Sequence, residues 1–139
     1  MEFFLFMILS RIMNPLPVTW QKNIQSNEWF DLLRLDMEAS YFQGGKKGVF
    51  VIWCAMPSGG KALKVGSGNL YEQLKNLRSS PFIQDYSKNG PIKVSWVAVN
   101  GVLQDSQLPG VEAYLNNQYA PVLSQNSAEI PIPVKLIGQ

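Results

Sequence analysis

Residues 49–55 (VFVIWCA) form an unbroken apolar run between Gly48 and Pro57. Its β-branched and aromatic side chains predict a central strand covered on both faces. Pro57-Ser58-Gly59-Gly60 predicts a hairpin connection, with a returning strand at residues 61–65. Alternation there places Leu63 and Val65 inward and Lys64 on the other face. Gly66-Ser67-Gly68 then predicts a strand-to-helix turn. Asn69 is placed to cap the helix that follows, with Glu72 in the reciprocal capping position and Leu70, Leu74 and Leu77 as its buried stripe.

Further along, residues 82–86 predict a short helical turn. Residues 92–99 alternate, with Ile92, Val94, Trp96 and Ala98 on one face and Lys93 and Ser95 on the other. Val111, Tyr114, Leu115 and Gln118 define a last helix, and the proline-punctuated tail from Ala120 is expected to wrap the surface. Upstream, residues 27–37 predict a helix, with Asn27 as N-cap and Phe30, Leu33 and Met37 on one face. The order is helix, strand, strand, helix, strand, helix. It predicts an α+β domain with a small three-stranded antiparallel sheet flanked by helices. The expected organisation is an extension carrying one helix at residues 1–45, the domain at 46–125 and a tail at 126–139.

The chain has 139 residues, 46% of them apolar and 16% charged, enough for one domain with a real core. The apolar run at residues 3–9 is too short to span a bilayer, which needs about 20 residues. It follows Glu2 rather than a basic segment, so a packed N-terminal segment or a start at Met13 is expected and membrane attachment is not. The single cysteine, Cys54, falls in the central strand and is expected in the core. It excludes an intramolecular disulfide framework, and a reducing, cytoplasmic setting is expected. With no histidine, the chain has no Ser-His-Asp triad, no Cys-His pair and no imidazole-ligated metal. Trp29, Trp53 and Trp96 fall in apolar periodic runs and are expected in the core, whereas Trp20, near Lys22, is the expected surface aromatic.

Charge is unevenly placed. Residues 46–93 hold eight cations against Glu72 and Asp85, a net +6, while the segments on either side are each −2. A basic middle is either a phosphate-facing surface or ordinary lysine solvation of strands and turns. Tyr71, Lys75 and Arg78 follow helical spacing and predict one exposed stripe with an aromatic and two cations, either a contact for a nucleic-acid backbone or an ordinary wet helix face.

Gly48-Val49-Phe50 opening the first strand, Lys64-Val65-Gly66 on the second and Gly110-Val111-Glu112 opening the last helix resemble the GIY-YIG nuclease superfamily, in particular its small stand-alone bacterial members. The resemblance covers roughly residues 48–124 and lies in the order and spacing of these pieces. It implies a phosphodiesterase site in which a glutamate holds a divalent cation and tyrosines and an arginine surround the phosphate. Carried onto this chain, the pattern is degenerate. The first tyrosine is Phe50, the second is Lys64, and the helix arginine falls on Gln73. An accompanying histidine falls on Leu77, beside Arg78, and a late asparagine falls near Ser124 or Asn126. Only the metal carboxylate, Glu112, is kept, where Mg²⁺ or Mn²⁺ would bind. The resemblance therefore implies a fold acting through binding, to DNA or RNA at Lys64, Tyr71, Lys75 and Arg78, or to a protein. The alternatives are a divergent metal-dependent endonuclease relying on Glu112, and a small subunit of a larger assembly.

Overall fold

The computed structural model describes residues 14–139, and the apolar run at residues 3–9 lies outside them. The chain is an α+β fold. Strand β1 (Phe30–Asp31) leads into two 3₁₀ turns, Leu32–Arg34 and Ser40–Phe42. Strands β2 (Lys47–Met56) and β3 (Gly59–Asn69) form a hairpin, and helices α1 (Leu70–Arg78) and α2 (Pro81–Tyr86) follow. Strand β4 (Ile92–Ala98), a third 3₁₀ turn (Asp105–Gln107) and helix α3 (Leu108–Tyr119) complete the order. The sheet has four strands, not three, in the order β1-β4-β2-β3, and every neighbouring pair is antiparallel.

The fourth strand replaces the predicted helix at residues 27–37. Phe30 and Asp31 pair with Val94 and Lys93 of β4, so the backbone there is committed to a sheet edge. Asn27, the expected N-cap, instead adopts a left-handed φ of 57° in a tight turn that its amide closes onto the Asn23 carbonyl. Helical periodicity at Phe30, Leu33 and Met37 is weak against edge pairing plus burial of Leu32, Leu35 and Met37 in the core.

Strand β2 is covered on both faces, as its apolar run predicts. Phe50, Ile52 and Cys54 enter a core with Leu70 and Leu74 of α1, Ile83 of α2 and Trp96 of β4. Val49 and Val51 enter a second core with Val65, Val97, and Val111 and Leu115 of α3. Val18, Trp20 and Val134 close that second core from outside the hairpin region. There the Leu16 amide donates to Pro133 O, and the Lys135 amide donates to Leu16 O, each at 3.0 Å. Trp20 is thus buried rather than a surface aromatic, and its indole N–H donates to Lys135 O at 2.8 Å.

Two features of β3 depart from expectation. Gly66-Ser67-Gly68 is not a turn but the second half of an eleven-residue strand, paired with Phe50, Val49 and Gly48. Gly66 is required by close approach, because a Cβ there would overlap the Phe50 ring, with Cε1 at 2.8 Å. The second feature is a register shift opposite Ile52 and Trp53: Ile52 faces Lys64 while Trp53 faces Ala62, leaving Leu63 as the extra residue of a β-bulge. Leu63 therefore enters the α1 core and Val65 the α3 core, although simple alternation would place both on one face.

Downstream expectations hold well. Asn69 Oδ1 accepts from the Glu72 amide at 3.0 Å, capping α1. Leu70 and Leu74 are fully buried and Leu77 is partly so. Ser95 shares the polar parity with Lys93 but is fully buried, its hydroxyl donating to Gln21 O at 2.7 Å. The tail also wraps as expected, with Val122 and Leu123 amides bonded to β3 carbonyls.

Gly66→Ala is expected to destabilise the fold by about 1–3 kcal/mol through overpacking. Adding Phe50→Leu should recover part of that loss, because both changes act on one contact. Urea denaturation of the two single variants and the double variant checks this. Strictly additive effects would show that the ring is not what excludes a Cβ at residue 66.

Candidate nucleic-acid interface

Lys61 and Lys64 are three residues apart, a spacing that in a regular strand points side chains to opposite faces. The bulge at Leu63 changes this. Lys61 pairs with Cys54 and Lys64 with Ile52, and both partners belong to the face covered by α1. Both lysines therefore sit on the α1 side of β3, Lys61 exposed and Lys64 half-buried. The backbone at Lys64 is also held from the tail, by a parallel bridge to Leu123.

Helix α1 adds Tyr71, Gln73 and Lys75 to this side. Lys75 Nζ lies 3.3 Å from Tyr71 Oη and 5.2 Å from the centre of its ring, so the ammonium donates to the hydroxyl and lies against the ring. Gln73 is exposed, and its amide end lies over Gly68, 3.6 Å from where a Cβ would stand. The expected stripe ends there. Arg78 turns inward: Nη1 donates to Leu35 O at 2.9 Å and Nη2 to Leu33 O at 3.3 Å. It ties α1 to the segment after β1, satisfying two carbonyls there that no longer have helical partners available.

The cations of residues 46–93 divide by partner. Lys93 pairs with Asp31 at 2.8 Å, Lys88 with Asp85 at 3.4 Å and Lys47 with Asp105 at 3.7 Å. Lys46 donates to Ser40 O and Arg78 to the two carbonyls above. Among the described residues, Lys61, Lys64 and Lys75 have no carboxylate partner, and all three are on or beside the α1 face.

The other positions implied by the family resemblance are separated from this group. Phe50 is fully buried and reaches no surface. Glu112 is half-buried on α3, which packs on the opposite face of the sheet from α1. Its carbonyl accepts from Asn116 Nδ2 at 3.0 Å, and the Asn116 Oδ1 is buried without a partner among the described residues. No group of three potential metal-ligating side chains occurs among the described residues. Cys54 is buried, as expected, and burial pushes its thiol pKa up.

Sequence reasoning missed a pocket on the α3 face. Trp29 and Trp53 are only half-buried, not core, and meet edge-to-face with ring centres 5.8 Å apart. With Tyr119, Ala62 and Gly60 they line a cavity of about 300 Å³. The Tyr119 hydroxyl accepts from the Ile137 amide at 3.0 Å, and burial raises its pKa above the ordinary phenol value, outweighing the lowering effect of that bond. The available signal was Trp53 facing small residues across the hairpin, which cannot cover an indole.

No protein-family model, curated protein or solved structure matches the chain. No helix among the described residues is long and apolar enough to cross a membrane.

Arg78→Met, which keeps the stem but removes the donors, is expected to cost about 1.5–3 kcal/mol, the worth of hydrogen bonds from a charged group. Lys75→Ala should stay within roughly 0.5 kcal/mol. Chemical denaturation of both variants checks the division between a structural and a surface cation. Equal small effects would refute the inward role of Arg78.

Proposed function

We propose that the chain is a catalytically degenerate GIY-YIG-like domain that binds DNA or RNA through the α1 face of β3. The observation that carries this reading is the bulge at Leu63, which sets Lys61 and Lys64 on the same face as Tyr71 and Lys75. Three cations without carboxylate partners among the described residues, one of them against an aromatic ring, are suited to a phosphate backbone and its bases. The element order from β2 to α3 and the antiparallel sheet agree with the resemblance in the sequence. The chemistry the family needs is poorly supported, because Phe50 has no hydroxyl and is buried, and Gln73 has no charge. Glu112 would hold Mg²⁺ or Mn²⁺ alone among protein carboxylates, as Mg²⁺ with most of its waters retained permits. A single carboxylate supplies neither a base for the attacking water nor a donor for the leaving oxygen.

Fluorescence anisotropy with labelled single-stranded DNA, duplex DNA and RNA tests the reading. Three phosphate contacts imply a loss of affinity of roughly 20- to 40-fold between about 50 and 200 mM salt. Lys64→Glu and Lys75→Glu should each weaken binding and flatten that dependence. Absence of binding at low salt would overturn the nucleic-acid reading and favour a protein partner. Mg²⁺-dependent nicking abolished by Glu112→Ala would instead establish the endonuclease alternative.

A further inference from the structure

The pocket on the α3 face has the composition of a ligand site rather than of a packing defect. Two indole rings and a phenol ring form its walls, and Ala62 and Gly60 leave its floor open. About 300 Å³ is at the small end for ligand sites and suits one planar ring system.

Trp29 also borders an adjoining depression of about 270 Å³ lined by Lys22 and Lys135. Lys22 Nζ lies 4.8 Å above the Trp29 ring. Both lysines stand on fixed backbone: the Gln21 amide donates to Trp96 O and its carbonyl accepts from Ser95, while the Lys135 amide and carbonyl are both bonded. Among the described residues, no aspartate or glutamate lines either depression. A third depression that Trp29 also borders is lined by Glu28, Asp36, Arg34 and the Lys93-paired Asp31. An anionic group on an aromatic guest is thus drawn to the Lys22–Lys135 side.

We propose that this pocket binds a nucleotide, free or within a single strand, with its base against Trp29, Trp53 and Tyr119 and its phosphate at Lys22 and Lys135. The site lies on the opposite face of the sheet from the lysines of β3 and α1, so it stands or falls independently of the reading above.

Isothermal titration calorimetry of the full chain with AMP, GMP, CMP and UMP, and with the matching nucleosides, tests the proposal. Mononucleotide binding that is lost in Ala62→Phe and kept in Lys75→Glu is assigned to the pocket rather than to Tyr71 and Lys75 of the α1 face. Saturable binding by at least one nucleotide is expected, with its nucleoside weaker by roughly 5-fold or more. Lys22→Gln with Lys135→Gln should bring the nucleotide down to the nucleoside's affinity. Trp53→Ala should weaken binding by roughly 5- to 150-fold, the range for loss of one aromatic–base stack. Ala62→Phe fills the pocket from an edge strand and should abolish binding, with unchanged circular dichroism and melting temperature showing that the fold is kept. A short single strand that binds much more tightly than its mononucleotide, and loses that advantage in Ala62→Phe, identifies the source as a strand. Equal affinities identify the free nucleotide. Absence of saturable binding by every mononucleotide together with strand affinity unchanged in Ala62→Phe, or mononucleotide binding that survives Ala62→Phe in a folded protein, would overturn the proposal.

Discussion

Every packed element of the molecule is placed by the requirement that β2 be buried on both faces. A strand with large apolar side chains at both parities must have a layer on each side, and the flanking sequence supplies them. Leu70 and Leu74 of α1 and Ile83 of α2 cover Phe50, Ile52 and Cys54, while Val111 and Leu115 of α3 cover Val49 and Val51. The second layer is incomplete with α3 alone. Val18, Trp20 and Val134, from segments far apart in the chain, complete it, and the hydrogen bonds between Leu16, Pro133 and Lys135 hold them there. The proline-rich tail is therefore part of the core and not an appendage.

The same central strand gives the bulge at Leu63 its meaning. β3 is an edge strand, and one extra residue there exchanges the faces of everything beyond it relative to β2. One consequence is structural, since Leu63 and Val65 serve different cores. The other is electrostatic, since Lys61 and Lys64 come to share one face. Lys61 is exposed there and Lys64 half-buried.

Much of this architecture was legible wherever local and tertiary preferences agree. The apolar run of β2, the Asn69 cap and the alternation of β4 each specify an element and its faces without outside information. The failures cluster where a distant partner decides. Phe30 and Asp31 carry no strong strand signal, yet β4 offers an unpaired edge and Arg78 satisfies the carbonyls of Leu33 and Leu35. Gly66-Ser67-Gly68 has turn composition, but Gly66 is there to admit the Phe50 ring. Trp20 and Trp53 exchanged their expected environments because indole burial depends on what packs opposite. Lys135 O and the second core receive Trp20, whereas across the hairpin Trp53 faces the small Ala62 and on β4 it faces Lys93. Of the candidate binding group, the residue types were legible, but the bulge that unites Lys61 with Lys64 left no mark in the spacing.

Phe50 connects the fold to the question of catalysis. Its ring is fully buried and its tip lies over Gly66, where no side chain intervenes. A hydroxyl added there would enter a core whose nearest neighbours are apolar, and burying it without a partner costs about 1–3 kcal/mol. Recovering a tyrosine at residue 50 would thus require not one substitution but a reopened path from the ring to solvent. Glu112 lies on the other side of the same sheet, on α3. Under the proposed reading, the sheet separates these two positions, and the chemistry left on the α1 face is cations and an aromatic ring.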